Sequence, residues 1–362
     1  MKKAWLGILR DVLSLPTAPF REDAVAAWVR AFAERKNLAF ARDAAGNVLL
    51  RIRRGRAKHK WLFAAHMDHP GFVVSERNSG RTVAAEFRGG VALPYFRGSR
   101  VRLMPEGRQP VRATVRGASA AKDSPFLRCT LWLDETADVP PGTIGMWDLP
   151  PVRIRGQRVH ARACDDLAGL AGALCAMAQL AAGKSPADVT VLLTRGEEAG
   201  FAGALAACEA GTICSDALVV VIETSAEQPG AKLGDGVVVR VGDRSRTYDP
   251  SLTAHVSAVA AGLEGRKGFR AIRRLMPGGT CEATAYCMAG LQATGLCLPL
   301  GNYHNQAPGG KISAERVDLR DFDSLVHLLI ALAERREGPA DTDRALRRGL
   351  QKLLASRRKH LR

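Results

Sequence analysis

Trp61-Leu62-Phe63-Ala64-Ala65 is an unbroken apolar run that stops abruptly at His66-Met67-Asp68. Apolar residues at every position, rather than every second one, predict a strand covered on both faces, as the inner strands of an α/β sheet are. Three other segments repeat the pattern. Val189–Thr194 leads through Arg195-Gly196 into Glu197-Glu198, Ala217–Ile222 ends at Glu223, and Leu296–Pro299 leads into Gly301-Asn302-Tyr303-His304-Asn305. Helical periodicity lies between and around them, over residues 165–182, 203–210, 252–263, 282–289 and 321–334. Strands alternating with helices predict an α/β fold with a largely parallel sheet flanked by helices.

Outward from this core the texture changes twice. Toward the N-terminus, residues 5–15 and 22–35 read as amphipathic helices and 47–52 as a strand. Between residues 72 and 160 no long helical pattern occurs. Short alternating segments such as Val101–Leu103, Val111–Val115, Cys129–Leu133 and Arg153–Ile154 are separated by Gly and Pro turns, which predicts a small inserted β-rich domain. The organisation expected is a catalytic domain from residues 1–71 and 161–335, an insertion over 72–160, and a basic helical extension over 336–362 with Leu346, Leu350, Leu353 and Leu354 on one face.

With 362 residues, 46% of them hydrophobic, the chain builds a sizeable core, which excludes disorder, collagen and coiled coil as whole-chain descriptions. No apolar run approaches the roughly 18 residues of a membrane span. Met1-Lys2-Lys3 followed by Ala4-Trp5-Leu6 begins like a signal peptide, but Arg10 and Asp11 interrupt it, so a cytoplasmic protein without a membrane partner is expected. The eight cysteines contain no C-x-x-C pair and fall largely in apolar patterns, which reads as reduced core residues. A formal charge of +17 invites a nucleic-acid reading. Its distribution argues against one: the stretch from Arg344 onward carries eight Lys or Arg and no acid, and the rest is dispersed. A solvated helical extension is the preferred reading of that stretch.

The informative residues are the polar ones that end the apolar strands, because ligands of open α/β sheets gather at the carboxyl ends of strands. His66, Asp68, Glu197, Glu198, Glu223 and His304 all occupy such positions, and Asp165-Asp166 opens the long helix after the insertion, where the helix dipole favours an acid. Individually each has a bland reading: a structural histidine, an acidic first turn, an N-cap. Together, so many acids at one sheet edge would repel one another, and a pair of divalent cations removes that repulsion. Mixed imidazole and carboxylate ligation suits zinc, with cobalt or manganese as substitutes. Glu227 competes with Glu223 for one position, whereas His160, His255 and His327 read as structural and His69 as a residue lining the site.

With these motifs in order, the chain resembles the M42 aminopeptidases, co-catalytic dimetal enzymes related to the M28 and M20 peptidases. The resemblance extends to Leu15-Pro16-Thr17 with Glu22, to Gly234-Asp235-Gly236, to Asp249-Pro250, and to an insertion between the first two ligand motifs. It spans residues 5–335 and implies a zinc-peptidase type of fold and a hydrolase that frees N-terminal residues from peptides by attack of a metal-bridging water. By resemblance, His66 and Glu223 bind one metal, Glu198 and His304 the other, and Asp165 bridges both, followed by a non-proline cis peptide. Asp68 then accepts a hydrogen bond from His66, and Glu197 is the general base. A homo-oligomer assembled through the insertion is likewise implied.

Three departures separate the chain from the usual M42 pattern: Glu at 223 instead of Asp, Gly279-Thr280-Cys281-Glu282 instead of Gly-Thr-Asp-Ala, and Tyr303-His304-Asn305 around the last ligand, closer to M20. The alternatives are therefore an M20-like carboxypeptidase or N-acyl-amino-acid deacylase. From a different class, the alternatives are a non-catalytic protein or a nucleic-acid binder using the basic surface.

Overall fold

The computed structural model describes residues 1–76 and 80–361. Its centre is an eight-stranded sheet in the order Ala39–Arg42, Val48–Arg54, Ala187–Thr194, Lys60–His66, Ala217–Ala226, Gln292–Leu300, Val237–Gly242, Ala271–Leu275. The inner four, Ala187–Thr194 through Gln292–Leu300, are mutually parallel. The expectation of a largely parallel sheet needs correcting, because the sheet is mixed. A short hairpin, Ala39–Arg42 with Val48–Arg54, adds an antiparallel margin on one side, and Val237–Gly242 runs antiparallel to Gln292–Leu300 on the other. These marginal strands are short or charged, so no continuous apolar run marks their direction.

The apolar run of Lys60–His66 is explained by what lies on either side of it. Trp61, Phe63 and Ala65 pack into one core cluster with helices Lys3–Leu13, Leu167–Ala182 and Leu319–Glu334. Leu62 and Ala64 pack into a second, with helices Ala202–Glu209 and Glu282–Met288. Helices thus cover both faces, and the carboxyl ends of the inner strands share one edge.

Six strands, Gly71–Val74, Thr82–Arg88, Arg100–Met104, Val111–Ala120, Leu127–Leu133 and Ile144–Trp147, close into a small barrel. Alternate residues such as Val101, Leu103, Leu131 and Leu133 fill its interior around Phe72, Phe87, Phe96 and Trp147. The next two strands, Val152–Arg155 and Arg158–Ala161, leave the barrel and pair instead with Glu315–Asp318, next to the main sheet. Helix Pro339–Arg357 docks only by its first turns. Ser251 Oγ donates to Asp343 at 2.5 Å, His255 Nδ1 meets Thr342 Oγ1 at 2.8 Å, and Lys58 pairs with Asp341 at 3.1 Å. Beyond them Leu346, Leu350, Leu353 and Leu354 are exposed.

The cysteines form no disulfide; five are buried, Cys208 and Cys287 half-buried, and Cys214 exposed. Among the described residues no helix is long and apolar enough to cross a membrane.

Candidate metal centre

His66 is the last residue of strand Lys60–His66 and is 1% exposed. Met67 N–H continues the ladder to Thr194 O at 2.9 Å, which aligns this strand end with the Gly196–Glu198 turn. Asp68, fully buried, accepts the backbone amides of Glu197 and Glu198 on its two oxygens, each at 3.0 Å. The His66 ring reaches the Asp68 backbone carbonyl at 3.1 Å, with the carboxylate oxygen farther off at 3.6 Å. The turn is also held from the N-terminal side, because Glu22 accepts Gly196 N–H at 3.1 Å and Arg195 Nε–H at 2.7 Å. Gly196 has φ +60°, and a Cβ there would lie 2.5 Å from the Phe20 ring, so no other residue fits.

Asp165 precedes helix Leu167–Ala182, and its bond to Asp166 is a cis peptide. Asp166 occupies the N-cap position without capping by its side chain. Glu315 holds the approach to the helix. One of its oxygens accepts Cys164 N–H at 2.6 Å and Asp165 N–H at 3.1 Å, and the other accepts His304 N–H at 2.8 Å. His304 itself lies in a left-handed turn with Asn302 and Asn305.

These elements bring His66, Asp165, Glu197, Glu198, Glu223 and His304 together. Asp165 lies between the histidines, with Oδ1 3.5 Å from His66 Nε2 and Oδ2 3.7 Å from His304 Nε2. Glu223 and Glu197 each approach His66 Nε2 to 3.9 Å, and Glu198 approaches His304 Nε2 to 2.9 Å. Both imidazoles present Nδ1 to a backbone carbonyl, His66 to Asp68 and His304 to Gly90 at 2.6 Å. A carbonyl only accepts, so Nδ1 donates to it in both rings, and Nε2 is the nitrogen turned toward the carboxylates. Despite burial, Glu198 and Asp165 push the His304 imidazole up to about 9 and the surrounding acids raise His66 as well, so a cation bound there would take the place of the Nε2 proton.

The polar atoms at the centre are short of partners. Asp165 Oδ1, Glu198 Oε1, Glu223 Oε1 and His304 Nε2 are buried without a directed hydrogen bond. One potential ligand atom from each of His66, Asp165 and Glu198 lies within 4.8 Å of the others. Burial pushes the Glu223 carboxyl up to about 8, despite the opposing charge of His66, with Asp165 adding to the rise. Burial likewise raises Glu197 well above the carboxylate range, opposed by His66 and assisted by Glu223 and Glu198. Converging buried carboxylates between two imidazoles that both turn Nε2 inward are a donor set that suits divalent cations.

Several contributors lie outside the sequence motifs. Glu315 and the Gly90 carbonyl act through local hydrogen bonds across long sequence separations. His69 spans Asp165 O at 2.7 Å and Asn305 Oδ1 at 3.1 Å, a supporting position. Tyr303 stacks on His304 with ring centroids 3.7 Å apart. Arg240, 3% exposed, sits on a strand whose apolar pattern gave it no functional signal. A cavity of about 170 Å³ opens beside the cluster, lined by Asp165, Glu197, Glu223, Arg240, Met276 and Tyr303 among others. A larger cleft of about 650 Å³ lies at the opposite, amino end of strand Lys60–His66, between Lys58, Asp216 and Asp343 and away from the histidine–carboxylate cluster. His160 pairs within the three-stranded sheet, His255 faces the C-terminal helix and His327 packs edge-on to Trp5, all apart from the cluster.

Residues 133–328 match the family model described as M42 glutamyl aminopeptidase. Among solved structures, the aminopeptidase APDkam598 from the archaeon Desulfurococcus kamchatkensis is similar at a TM-score of 0.76 and 21% identity, over 94% of this chain and 96% of that one. The Pyrococcus horikoshii TET1 peptidase, described as able to assemble into a tetrahedron or a large octahedral shell, gives a TM-score of 0.75 at 20% identity, over 91% and 99% of the two chains. A TET aminopeptidase from a marine sediment Thaumarchaeota archaeon gives 0.76 at 19% identity, over 92% and 97%.

Proposed function

The chain belongs to the M42 peptidase family, and on that premise we propose that it is a two-cation aminopeptidase releasing N-terminal residues from peptides. Family membership makes it a hydrolase of the aminopeptidase kind; the cation pair and the residue roles are the proposal. What carries the proposal is Asp165, whose two oxygens are turned to different histidines, 3.5 Å from His66 and 3.7 Å from His304. One carboxylate shared between two imidazole-bearing halves is the arrangement that two cations need.

His66 and Glu223 would hold one ion, Glu198 and His304 the other, and Asp165 both, with zinc the metal that this ligand chemistry suits best. Such ions, when bound, polarise the scissile carbonyl and ease deprotonation of water. The remaining work falls to the chain. The Glu197 carboxylate takes the proton of the attacking water and delivers it to the leaving amine nitrogen. Asp68 fixes Glu197 by accepting its backbone amide, and the Nδ1–H bonds to Asp68 O and Gly90 O fix the ring planes of His66 and His304. The negative wall formed by Asp165, Glu197 and Glu223 suits the free α-amine of a peptide. The catalytic body is read as residues 1–71 with 161–335, the insertion as 72–160, and the basic extension as 336–362. A homo-oligomer is part of the same proposal, by analogy with the Pyrococcus TET1 assemblies.

Paired substitutions test the roles. Glu197→Gln should keep its metal and lose roughly 10²–10⁴-fold in turnover of an aminoacyl amide. Glu198→Gln should lose metal, with partial rescue by excess zinc. Metal lost from Glu197→Gln and kept by Glu198→Gln would reverse the assignment, and near-normal turnover in both would refute it.

A further inference from the structure

The last helix carries an apolar stripe that the body of the protein leaves uncovered. Leu346, Leu350, Leu353 and Leu354 recur at the i, i+4, i+7, i+8 spacing that puts them on one face of helix Pro339–Arg357. They are between 47% and 61% exposed, because the helix is tied to the body only through Asp341, Thr342 and Asp343. The rest of its surface is basic. Arg344, Arg348 and Lys352 lie across the helix from the leucines, and Arg347 borders them. No acid occurs from Arg344 onward. Arg344 pairs with Asp341, whereas among the described residues Arg347, Arg348, Lys352, Arg357, Arg358 and Lys359 enter no ion pair. The basic character continues at the base of the helix, where the cleft of about 650 Å³ is lined by Pro339 and Ala340 together with Arg53, Arg56 and Lys58. The acids of that cleft are already engaged, Asp216 by Lys60, Asp188 by Arg51 and Asp343 by Ser251. Arg53 approaches Asp188 only to 4.0 Å, and Arg56 pairs with no acid among the described residues.

We propose that this helix is an interfacial anchor that lays its leucine face into the surface of an anionic lipid bilayer. A stripe of leucines bordered by unpaired cations needs a partner that is apolar and anionic at once. A bilayer offers both, with acyl chains for the leucines and phosphate headgroups for the arginines and lysines, whose long stems reach from one layer to the other. A nucleic acid takes the charges and leaves the leucines in water. A second copy of the helix covers the leucines but presses basic border against basic border, with no acid between them. The stripe is only about two turns long, so leucine burial and charge have to act together. The sequence expectation of a solvated extension without a membrane partner rested on the lack of a spanning segment, and a helix lying in the headgroup region spans nothing. This inference does not depend on the aminopeptidase reading.

The test is co-flotation of the full chain with vesicles of phosphatidylcholine alone and of phosphatidylcholine with about 30% phosphatidylglycerol. Melting temperature and assembly mass are recorded for every variant. The full chain should bind the anionic vesicles at least about 10-fold more strongly than the neutral ones, and added salt should weaken the binding. Leu350→Gln with Leu353→Gln should lower it by about 10-fold or more, the cost of leaving two leucines unburied. Arg347→Gln with Arg348→Gln should lower it by about 10-fold as well, and a chain ending at residue 345 should not float. All three should melt as the full chain does, because the altered residues are exposed. Equal flotation with both kinds of vesicle, or with neither, overturns the proposal, as does undiminished flotation of the leucine variant. Salt-sensitive retention on duplex RNA without flotation overturns it by assigning the basic face to nucleic acid. A lower assembly mass in the leucine variant, with no flotation of the full chain, overturns it by assigning the stripe to a second copy.

Discussion

The carboxylate of Asp68 accepts the backbone amide of Glu197 at 3.0 Å, and its second oxygen accepts the neighbouring amide of Glu198 at the same distance. Two residues with different proposed jobs are therefore aimed by one buried acid at the end of the adjacent strand. Asp68→Asn keeps one accepting oxygen and turns an NH₂ toward the other amide, so one of the two bonds becomes a repulsion. Turnover should fall about 10–100-fold, the usual cost of losing a partner behind the ligands, while most of the metal stays bound. Steady-state kinetics with elemental analysis read both. Unchanged turnover would mean that the glutamate turn is held without Asp68.

The C-terminal helix separates into a docked and a free part. Asp341, Thr342 and Asp343 make its contacts with Lys58, His255 and Ser251, whereas the leucines from 346 onward face outward. A chain ending at residue 345 should melt as the full chain does. One ending at 335 should lose about 1–2 kcal/mol of stability through the missing hydrogen bonds. Both should keep the catalytic rate within a few-fold, because every proposed ligand precedes residue 305. Thermal melts and turnover of the two truncations decide this, and a loss of several orders of magnitude in rate from a folded truncation would contradict it.

Acid should weaken the contact between that helix and helix Pro250–Ala261. Burial lowers the His255 imidazole to about 4, aided by His59 and Arg335 and opposed by Asp341 and Glu337. The unfolded chain binds this proton near pH 6.5, well before the folded one does. The stability contributed by neutral His255 is therefore complete above pH 6.5 and is lost as the pH falls through 4. His255→Gln removes the titration. The melting temperature of the wild type should drop faster than that of the variant between pH 7 and 4, and parallel curves would contradict the burial argument.

The sequence revealed what repeated and hid what was single. Four apolar strands ending in acids or histidines announced the inner sheet and its catalytic edge, because burial on both faces leaves a continuous apolar trace. The strands missed were short or charged, as in Ala271-Ile272-Arg273-Arg274-Leu275, where an edge position carries no such trace. The antiparallel direction of Val48–Arg54 and Val237–Gly242 was hidden for another reason, since a strand's side-chain pattern reads the same whichever way it runs. Within the site, residues at strand ends were legible, whereas Glu315 and Gly90 were not. They act by hydrogen bonds to residues 150 and 214 positions away, and nothing local in sequence encodes such a meeting. Arg240 escaped for a related reason: nothing local in Val237-Val238-Val239-Arg240-Val241 signals that the fold buries this one charge.

The central claim is that two cations bind per chain and that hydrolysis requires them. Elemental analysis of the chelated protein during stepwise return of zinc, with turnover of an unblocked aminoacyl amide followed at each step, tests it directly. The account predicts negligible activity without metal and a rise that completes at two ions per chain, accompanied by a higher melting temperature as the carboxylate repulsion is relieved. Full activity in protein shown to contain no metal, or saturation of activity with the second ion never bound, would contradict it.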